Sequence, residues 1–212
     1  GYIPIVGTYG IFAPTRVDYL QGIHHYMTDI VYNMQKRYNK QFQPPFRVLD
    51  MGCGTGVLSG LFVDSIQTLD QTNTSWHIDA CDINPRALTS TQQLLHSTIK
   101  KQIAPNSQNK ISSRVLLSNL FDAYDLKNDK TTDVIHGTDH HVGNSWDVIM
   151  FNPPWLPLPT RKPLLNTKTS NFSSVPLDTA IFDTKFNTLH TFLKQCKKHL
   201  RSQYDQNAPK SE

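Results

Sequence analysis

The sequence predicts an α/β fold in which helices cover both faces of a parallel β-sheet. From residue 47 onward, short apolar runs alternate with longer segments that have the three-to-four-residue spacing of helices. Such alternation favours a parallel sheet. Glycine-rich or polar residues directly follow the apolar runs, at the carboxyl ends of the predicted strands, where sheets of this kind bind ligands. The sequence therefore predicts a ligand site at the strand ends.

The composition fits one globular domain with a short lead-in. Of 212 residues, 38% are hydrophobic and 18% are charged, and the formal net charge is +4. This mild basic excess is compatible with a nucleic-acid partner, but the chain has only short basic clusters such as Lys194 to Arg201. Such clusters are typical of the last turn of a helix.

The cysteines and the apolar runs indicate the compartment. Cys53, Cys81 and Cys196 lack metal-ligand spacing, and their odd number argues against a disulfide framework. No apolar run reaches the roughly 18 residues of a membrane-spanning helix, and no signal peptide is visible. We therefore expect a cytoplasmic protein without a membrane partner.

The lead-in, residues 1–45, is predicted to contain a hairpin and one helix. Residues 2–12 alternate Gly and Pro with β-branched and aromatic residues, and Thr15-x-x-Asp18 has the form of an N-terminal helix cap. The apolar spacing that follows predicts a helix over roughly 16–38. Its inner face is predicted to hold Val17, Leu20, Ile23, Met27, Ile30, Val31 and Met34.

The main domain, residues 46–201, is predicted to contain four strands. Apolar runs place these strands at 47–51, 76–83, 114–121 and 146–151. Helices are predicted from 57 to about 70, from 85 to 103 and from 177 to about 200. Residues 122–145 are polar and residues 153–176 are rich in proline, so both are predicted to be loops. Residues 202–212 form a polar tail.

The stretch from Val48 to Gly56 is predicted to be a buried strand that runs into a glycine-rich turn and a helix. Gly52, Gly54 and Gly56 let the backbone turn sharply and approach a ligand closely. The start of the next helix offers unpaired N–H groups that suit a carboxylate or a ribose. A dinucleotide pattern would need its third glycine where this chain has Val57. A turn without a ligand is the alternative.

Polar residues also follow the second and third predicted strands. The carboxylate of Asp82 can accept both hydroxyl hydrogens of an adenosine ribose. Alternatively Asp82 caps the helix that starts near Pro85, although Asn84 can take that role. The amide of Asn119 can bond an adenine edge, or Asn119 is simply a turn residue.

The stretch Asn152-Pro153-Pro154-Trp155 follows the fourth predicted strand. Two consecutive prolines fix the backbone and remove two donors, so carbonyl oxygens are left free as acceptors. Asn152 adds a side-chain carbonyl and Trp155 adds a flat aromatic face. Together they can hold a planar –NH2 group, with its lone pair pointing out of the plane towards an electrophile. A proline-rich turn that only closes the strand is the alternative.

Four stretches, VLDMGCGTGVLS, ACDINPRAL, SNLF and FNPPW, resemble class I S-adenosylmethionine-dependent methyltransferases that act on exocyclic or amide nitrogen. Within these enzymes, residues 47–156 are most similar to the methyltransferase small domain group, which contains the HemK-type glutamine methyltransferases of release factors. The resemblance implies a Rossmann-like three-layer sandwich, S-adenosyl-L-methionine as cofactor and a protein substrate such as a translation release factor. Some eukaryotic members require an activator subunit, which makes such a subunit a candidate partner.

The resemblance also implies roles for individual residues. Cofactor-binding residues at the methionine end are Asp50, Gly52, Cys53, Gly54 and Gly56, with Cys53 acting through its backbone. Asp82 holds the ribose, and Asn119 and Leu120 lie near the adenine. The catalytic, acceptor-binding residues are Asn152, Pro153, Pro154 and Trp155. Ala13 to Arg16 matches a proline-rich segment of the group, so we expect Thr15 and Arg16 to cover the cofactor or contact the substrate.

The chain departs from the HemK-type pattern in several respects. Trp155 stands where Tyr is usual, and no substrate-recruiting helical domain is visible upstream. The full fold has seven strands, whereas four are predicted here. We therefore expect the sequence to be an excerpt or an incomplete product that ends after the fourth core strand and the helix following it.

Two other functions stay open. One is methylation of an amino group of RNA or DNA, which would favour a broader basic surface. The other is a non-catalytic relic that only binds the cofactor. His136, Asp139, His140 and His141 resemble metal ligands, but adjacent histidines in a polar loop are more often solvated, so no metal is predicted.

Overall fold

The computed structural model describes seven stretches of the chain. These are residues 11–14, 16–37, 45–69, 74–101, 110–125, 145–156 and 182–201. Several predictions lie outside the described residues: the hairpin over residues 2–10, the cap at Thr15, the His136 to His141 group, most of both predicted loops and the polar tail.

Four parallel strands form the centre of the molecule, and they confirm the predicted α/β, Rossmann-like class. They are β1 (Phe46–Met51), β2 (Ser75–Asp82), β3 (Lys110–Leu117) and β4 (Val148–Phe151). Their order is β3-β2-β1-β4. In the register, Val48 of β1 lies opposite Ile78 of β2 and Val148 of β4. Every residue of β1 is buried, as expected for a central strand covered on both faces.

Helices lie on both faces of this sheet. They are α1 (Val17–Arg37), α2 (Val57–Leu69), α3 (Pro85–Lys101), the single turn α4 (Asp122–Asp125) and α5 (Asn187–His199). The core of the first face joins α1, α2 and α3 to the sheet; its members include Met27, Val31, Val48, Phe62, Ile66, Trp76, Ile78 and Leu95. The core of the second face joins α4 and α5 to the sheet; its members include Leu49, Met51, Cys81, Phe121, Tyr124, Trp146 and Phe192.

The lead-in helix matches its prediction closely in extent. Met27 and Val31 are buried against the first-face core, with Ile23, Ile30 and Met34 packed beside them. Val17, however, is largely exposed at the first turn and does not belong to the inner face. None of the described helices has both the length and the apolar character needed to cross a membrane.

Three predicted boundaries are wrong. The third strand starts at Lys110 and ends at Leu117, so residues 118–121 form a turn. Residues 122–125 form a helical turn instead of a loop. The last helix starts at Asn187, because Lys185 and Phe186 adopt left-handed backbone angles that no α-helix accommodates.

A buried charge network lies on the second face of the sheet. Asp79 accepts hydrogen bonds from Arg47 Nη2 at 2.8 Å, Arg114 Nε at 2.7 Å and Trp146 Nε1 at 2.7 Å. Burial by itself would raise the pKa of Asp79, but the bond from His77 and the charge of Arg114 hold that pKa below its usual value. The network joins β1, β2 and β3 to Trp146, which lies two residues before β4.

The chain returns beside β4 after α5. Trp146 N donates to His199 O at 2.8 Å, and Arg201 N donates to Trp146 O at 2.9 Å. These bonds make an isolated parallel bridge between Trp146 and Leu200. Since the bridge is a single residue pair, the predicted count of four strands matches the strands of the described residues.

Candidate functional site

A cavity of about 510 Å³ lies at the carboxyl ends of the four strands. That volume is in the range of sites for small molecules and cofactors. The turns after the strands contribute Met51 to Gly54, Asp82 to Asn84, Ser118 to Leu120, and Phe151 with Asn152. The structure thus brings together the four strand ends that the sequence indicated.

Backbone hydrogen bonds hold the glycine turn after β1 in place. Cys53 N donates to Cys81 O at 2.9 Å, and Gly54 N donates to a carboxylate oxygen of Asp82 at 2.9 Å. Gly54 has a φ of 53°, and a Cβ at this position would lie 3.2 Å from the carbonyl oxygen of Phe12. The lead-in therefore packs directly on the turn. Burial raises the pKa of the Cys53 thiol well above its usual value, and its sulfur accepts a hydrogen bond from Thr91 Oγ1 at 3.2 Å.

Gly56 has a different role from the other glycines of the turn. A Cβ there would lie 2.9 Å from Thr91 Cα, so the glycine lets α2 approach α3. Thr91 in turn donates its hydroxyl to Gly54 O at 3.1 Å. Gly56 does not line the cavity, although the resemblance implied that it would.

Asp50 also lies beneath the cavity and does not line it. Its Oδ2 accepts hydrogen bonds from Ser59 N at 3.0 Å and Ser59 Oγ at 2.6 Å, in the first turn of α2. Its Oδ1 is buried without a hydrogen-bond partner among the described residues. Burial raises the pKa of Asp50 to about 6, although the bonds from Ser59 act in the opposite direction. Asp50 thus fixes the helix that follows the glycine turn.

Asp82 lines the cavity and accepts hydrogen bonds from the backbone of two turns. One carboxylate oxygen accepts from Gly54 N at 2.9 Å and the other from Asn84 N at 2.8 Å. Burial raises the pKa of Asp82, while these N–H donors oppose the rise. Asn84 Oδ1 accepts from Arg86 N at 3.1 Å, so Asn84 is the side chain that caps α3. Each oxygen of Asp82 keeps a lone pair for a ligand.

The turn after β3 has a defined geometry. Ser118 Oγ donates to Leu120 O at 2.7 Å and accepts from Ala123 N at 3.1 Å. Leu120 has a φ of 50°, a strained value for a residue other than glycine. Both Asn119 and Leu120 line the cavity, and the Asn119 side chain is exposed to it.

The Asn-Pro-Pro-Trp stretch follows β4, the strand paired with β1, and so lies beside the glycine turn. Asn152 and Pro154 line the cavity, whereas Pro153 and Trp155 do not. Trp155 is 61% exposed. The ring of Phe151, just before this stretch, would lie 3.3 Å from a Cβ at Gly52 and packs on Phe192 of α5. We use the term acceptor wall for Asn152 to Trp155.

The lead-in covers one side of the cavity. Ile11, Phe12 and Pro14 line it. Arg16 is exposed and forms an ion pair with Asp18. Thr15 lies outside the described residues. Of the predicted segment from Ala13 to Arg16, Pro14 is the described residue that reaches the cavity.

A further group of lining residues was not predicted. Phe182, Asp183, Asn187 and Thr188 close the cavity beside the acceptor wall. Asp183 N donates to Leu156 O at 3.0 Å. The Asp183 carboxylate accepts from Thr188 N at 2.9 Å and Thr188 Oγ1 at 3.1 Å, and so caps α5. The run Asp-Thr-Lys-Phe-Asn-Thr at 183–188 indicates a capped helix start. The apolar spacing from Leu177 instead predicted one continuous helix, so this start was missed.

No group of three or more His, Cys, Asp or Glu side chains suited to a metal ion occurs in the described part of the chain. The described strands, helices and cavity define a Rossmann-like α/β protein with a cavity at the carboxyl ends of its strands.

Comparison with known proteins gives likenesses among solved structures. No family model matches the chain, and no curated protein matches it. Among solved structures, the chain is similar to a human methyltransferase 10 domain containing protein, with 16% sequence identity and a TM-score of 0.39. The match covers 73% of this chain and 55% of that one, so the chain spans little more than half the length of that structure. The functional assignment consequently depends on the geometry of the site.

Proposed function

We propose that the chain is an S-adenosyl-L-methionine-dependent N-methyltransferase that acts on a planar amino or amide nitrogen. One observation carries the proposal. A single cavity is lined by the glycine turn after β1, by Asp82 at the end of β2, and by Asn152 and Pro154 after β4, and β2 and β4 flank β1 in the sheet. A nucleoside cofactor bound at Asp82 and the glycine turn would therefore lie beside an acceptor group held at Asn152.

The residues on the cofactor side fit this ligand. The free lone pairs of Asp82 can accept the two hydroxyl hydrogens of a ribose. The exposed amide of Asn119 and the side chain of Leu120 offer a polar contact and an apolar contact to a flat base. When bound, the cofactor supplies an electrophilic methyl group on a positively charged sulfur.

The acceptor wall can orient a flat nitrogen group. The side-chain carbonyl of Asn152, which lines the cavity, and a neighbouring main-chain carbonyl can accept the two hydrogens of an –NH2 group. The exposed ring of Trp155 can stack on the part of the acceptor that stays outside the cavity. This arrangement leaves the nitrogen lone pair directed out of the plane, into the cavity. Holding the two reacting groups in this way supplies much of the rate of a methyl transfer.

Within this class we propose a protein glutamine as the acceptor, in a substrate of the release-factor type. The described residues that line the cavity include the carboxylates of Asp82 and Asp183 and no cationic side chain. Such a lining favours an uncharged amide over a nucleic acid, whose phosphates need cationic contacts. An amino group of RNA or DNA is the second candidate, because the exposed Trp155 can also stack on a base. The cytoplasmic location and an activator subunit stay predictions.

Two measurements test the proposal. Calorimetry with S-adenosylmethionine decides whether the cofactor binds at all. Transfer of a labelled methyl group from the cofactor into cell extract, followed by separation of protein from nucleic acid, decides between the two acceptor classes. Cofactor binding without transfer to either fraction would favour a non-catalytic relic.

Replacing Asn152 by Ala should abolish methyl transfer and leave the dissociation constant of the cofactor within about twofold, because Asn152 contacts the acceptor. The assay is labelled methyl transfer, with calorimetry on the same sample. Asn33→Ala, on the exposed face of α1, is the matched control. Full activity of Asn152→Ala would exclude the acceptor role of this wall.

A further inference from the structure

The charge of the cavity is opposite to that of the chain. The chain has a formal net charge of +4. Among the described residues that line the cavity, the charged ones are Asp82 and Asp183, and both are acidic. A cationic ligand is therefore favoured inside the cavity, whereas the chain as a whole favours anions.

The two carboxylates belong to strand ends on either side of β1: Asp82 ends β2, and Asp183 lies beside the segment that follows β4. Asp82 is bonded to Gly54 N, in the turn after β1. Asp183 is bonded through its backbone to Leu156 O, one residue beyond the acceptor wall, and Phe182 forms a parallel bridge with the same Leu156. Asp183 is consequently the charged group of the acceptor end.

Asp183 is buried, and hydrogen bonds hold its carboxylate in place. It is 4% exposed, and its carboxylate accepts from Thr188 N, Thr188 Oγ1 and Leu189 N at 2.9, 3.1 and 3.3 Å. The two residues after Thr184, Lys185 and Phe186, have left-handed backbone angles with φ of 56°. Such strain persists where surrounding contacts fix the conformation. These hydrogen bonds fix the orientation of the carboxylate.

We infer that Asp183 makes the cavity selective for the positively charged cofactor over its neutral thioether product. This inference rests on the proposed function. A methyl group that is to be transferred must face the acceptor wall, so the sulfur that carries it lies at the end of the cavity where Asp183 is found. A buried carboxylate attracts a sulfonium there. The product has lost the positive charge, so it loses this attraction and leaves more readily.

The test compares dissociation constants for S-adenosylmethionine and S-adenosylhomocysteine, measured by calorimetry on the unaltered chain and on Asp183→Asn. Asn keeps an oxygen that can cap α5, so the fold is retained. We expect Asp183→Asn to weaken S-adenosylmethionine about tenfold and to change S-adenosylhomocysteine by less than about twofold. Sinefungin, which carries an ammonium group near the position of the sulfonium, should follow S-adenosylmethionine.

Asp82→Asn is the matched control, because the ribose it contacts is common to both ligands. It should weaken both by a similar factor. A second variant, Asp183→Ser, removes the charge and keeps a capping hydroxyl, and it should reproduce the effect of Asp183→Asn. Thermal unfolding of each variant verifies that it is folded.

An equal change in both dissociation constants, or no change in either, in folded Asp183→Asn and Asp183→Ser would overturn the inference. Such a result would leave the proposed function intact. Failure of the unaltered chain to bind either S-adenosylmethionine or S-adenosylhomocysteine would instead overturn the proposed function.

Discussion

Asp50 is a buried carboxylate whose two oxygen atoms have different surroundings. Its Oδ2 accepts two bonds from Ser59, whereas its Oδ1 has no partner among the described residues. An ionised carboxylate in this position lacks compensation for its lost hydration, and this deficit is what raises its pKa to about 6.

Replacing Asp50 by Asn should remove a pH dependence of stability. The pKa rises from 3.8 to about 6 on folding, so the group stabilises the fold fully below pH 3.8 and this contribution is lost as the pH rises through about 6. Between about pH 4.5 and about pH 7.5 the loss is about 2 kcal/mol. Urea unfolding gives the free energy of unfolding of Asp50→Asn and of the unaltered chain at both pH values. The difference, variant minus unaltered chain, should be about 2 kcal/mol larger at the higher pH. A difference independent of pH would contradict the raised pKa.

At the same scale, the sequence indicates which residues face the ligand better than it indicates their exact roles. Asp82 was predicted to face the ligand, and Asn84 was the alternative cap of α3. Asp82 lines the cavity and Asn84 caps α3, because β2 ends at Asp82 and α3 starts directly after Asn84. Gly56 was predicted by the same spacing as Gly54, yet it contacts Thr91 of α3. Spacing along one strand does not reveal which helix packs against it.

At the scale of elements, Asp79 connects the strands on the second face. Removing its side chain by Asp79→Ala would leave the buried guanidinium of Arg47 without its ion pair at 2.8 Å. We expect a loss of roughly 3–5 kcal/mol in the free energy of unfolding, because an uncompensated buried charge is costly. Chemical denaturation measures this loss.

Asp125→Ala is the control for that change. Asp125 pairs with the exposed Lys198 at 2.8 Å and lies 3.4 Å from Nε2 of the buried His199, but its own carboxylate is substantially exposed to solvent. Its loss should cost less than about 1 kcal/mol. If the two variants lost similar stability, the Asp79 network would not be the main connection between these strands.

Two elements show why the order of strands and helices was predicted better than their ends. The apolar run from Arg114 to Phe121 suggested a strand, but β3 lies at the edge of the sheet and therefore includes the exposed Ser112 and Ser113. Ser118 then ends it by bonding to Leu120 O and Ala123 N. Likewise, apolar spacing placed Asp183 inside a helix. Its carboxylate accepts from donors five and six residues later in the chain, and such a cap has no periodic signal.

At the scale of the whole molecule, the chain has a formal net charge of +4, whereas the charged residues among the described ones that line the cavity are acidic. S-adenosylmethionine at 100 times its dissociation constant should stabilise the chain by about 2.7 kcal/mol, which corresponds to a rise in Tm of roughly 5–10 °C. ATP at the same concentration is the control, since it offers the same adenosine with a strongly anionic tail. Thermal unfolding with ATP should show little rise. An equal rise with both ligands would mean that the acidic lining does not select the ligand.

The three tryptophans of the chain have very different surroundings. Trp76 and Trp146 are completely buried, and the indole N–H of Trp146 is bonded to Asp79. Trp155 is 61% exposed on the acceptor wall. A soluble quencher such as iodide reaches an exposed indole and not a buried one, so the quenchable part of the fluorescence comes from Trp155. Iodide quenching of Trp155 fluorescence can therefore detect a ligand bound at the acceptor wall without any label.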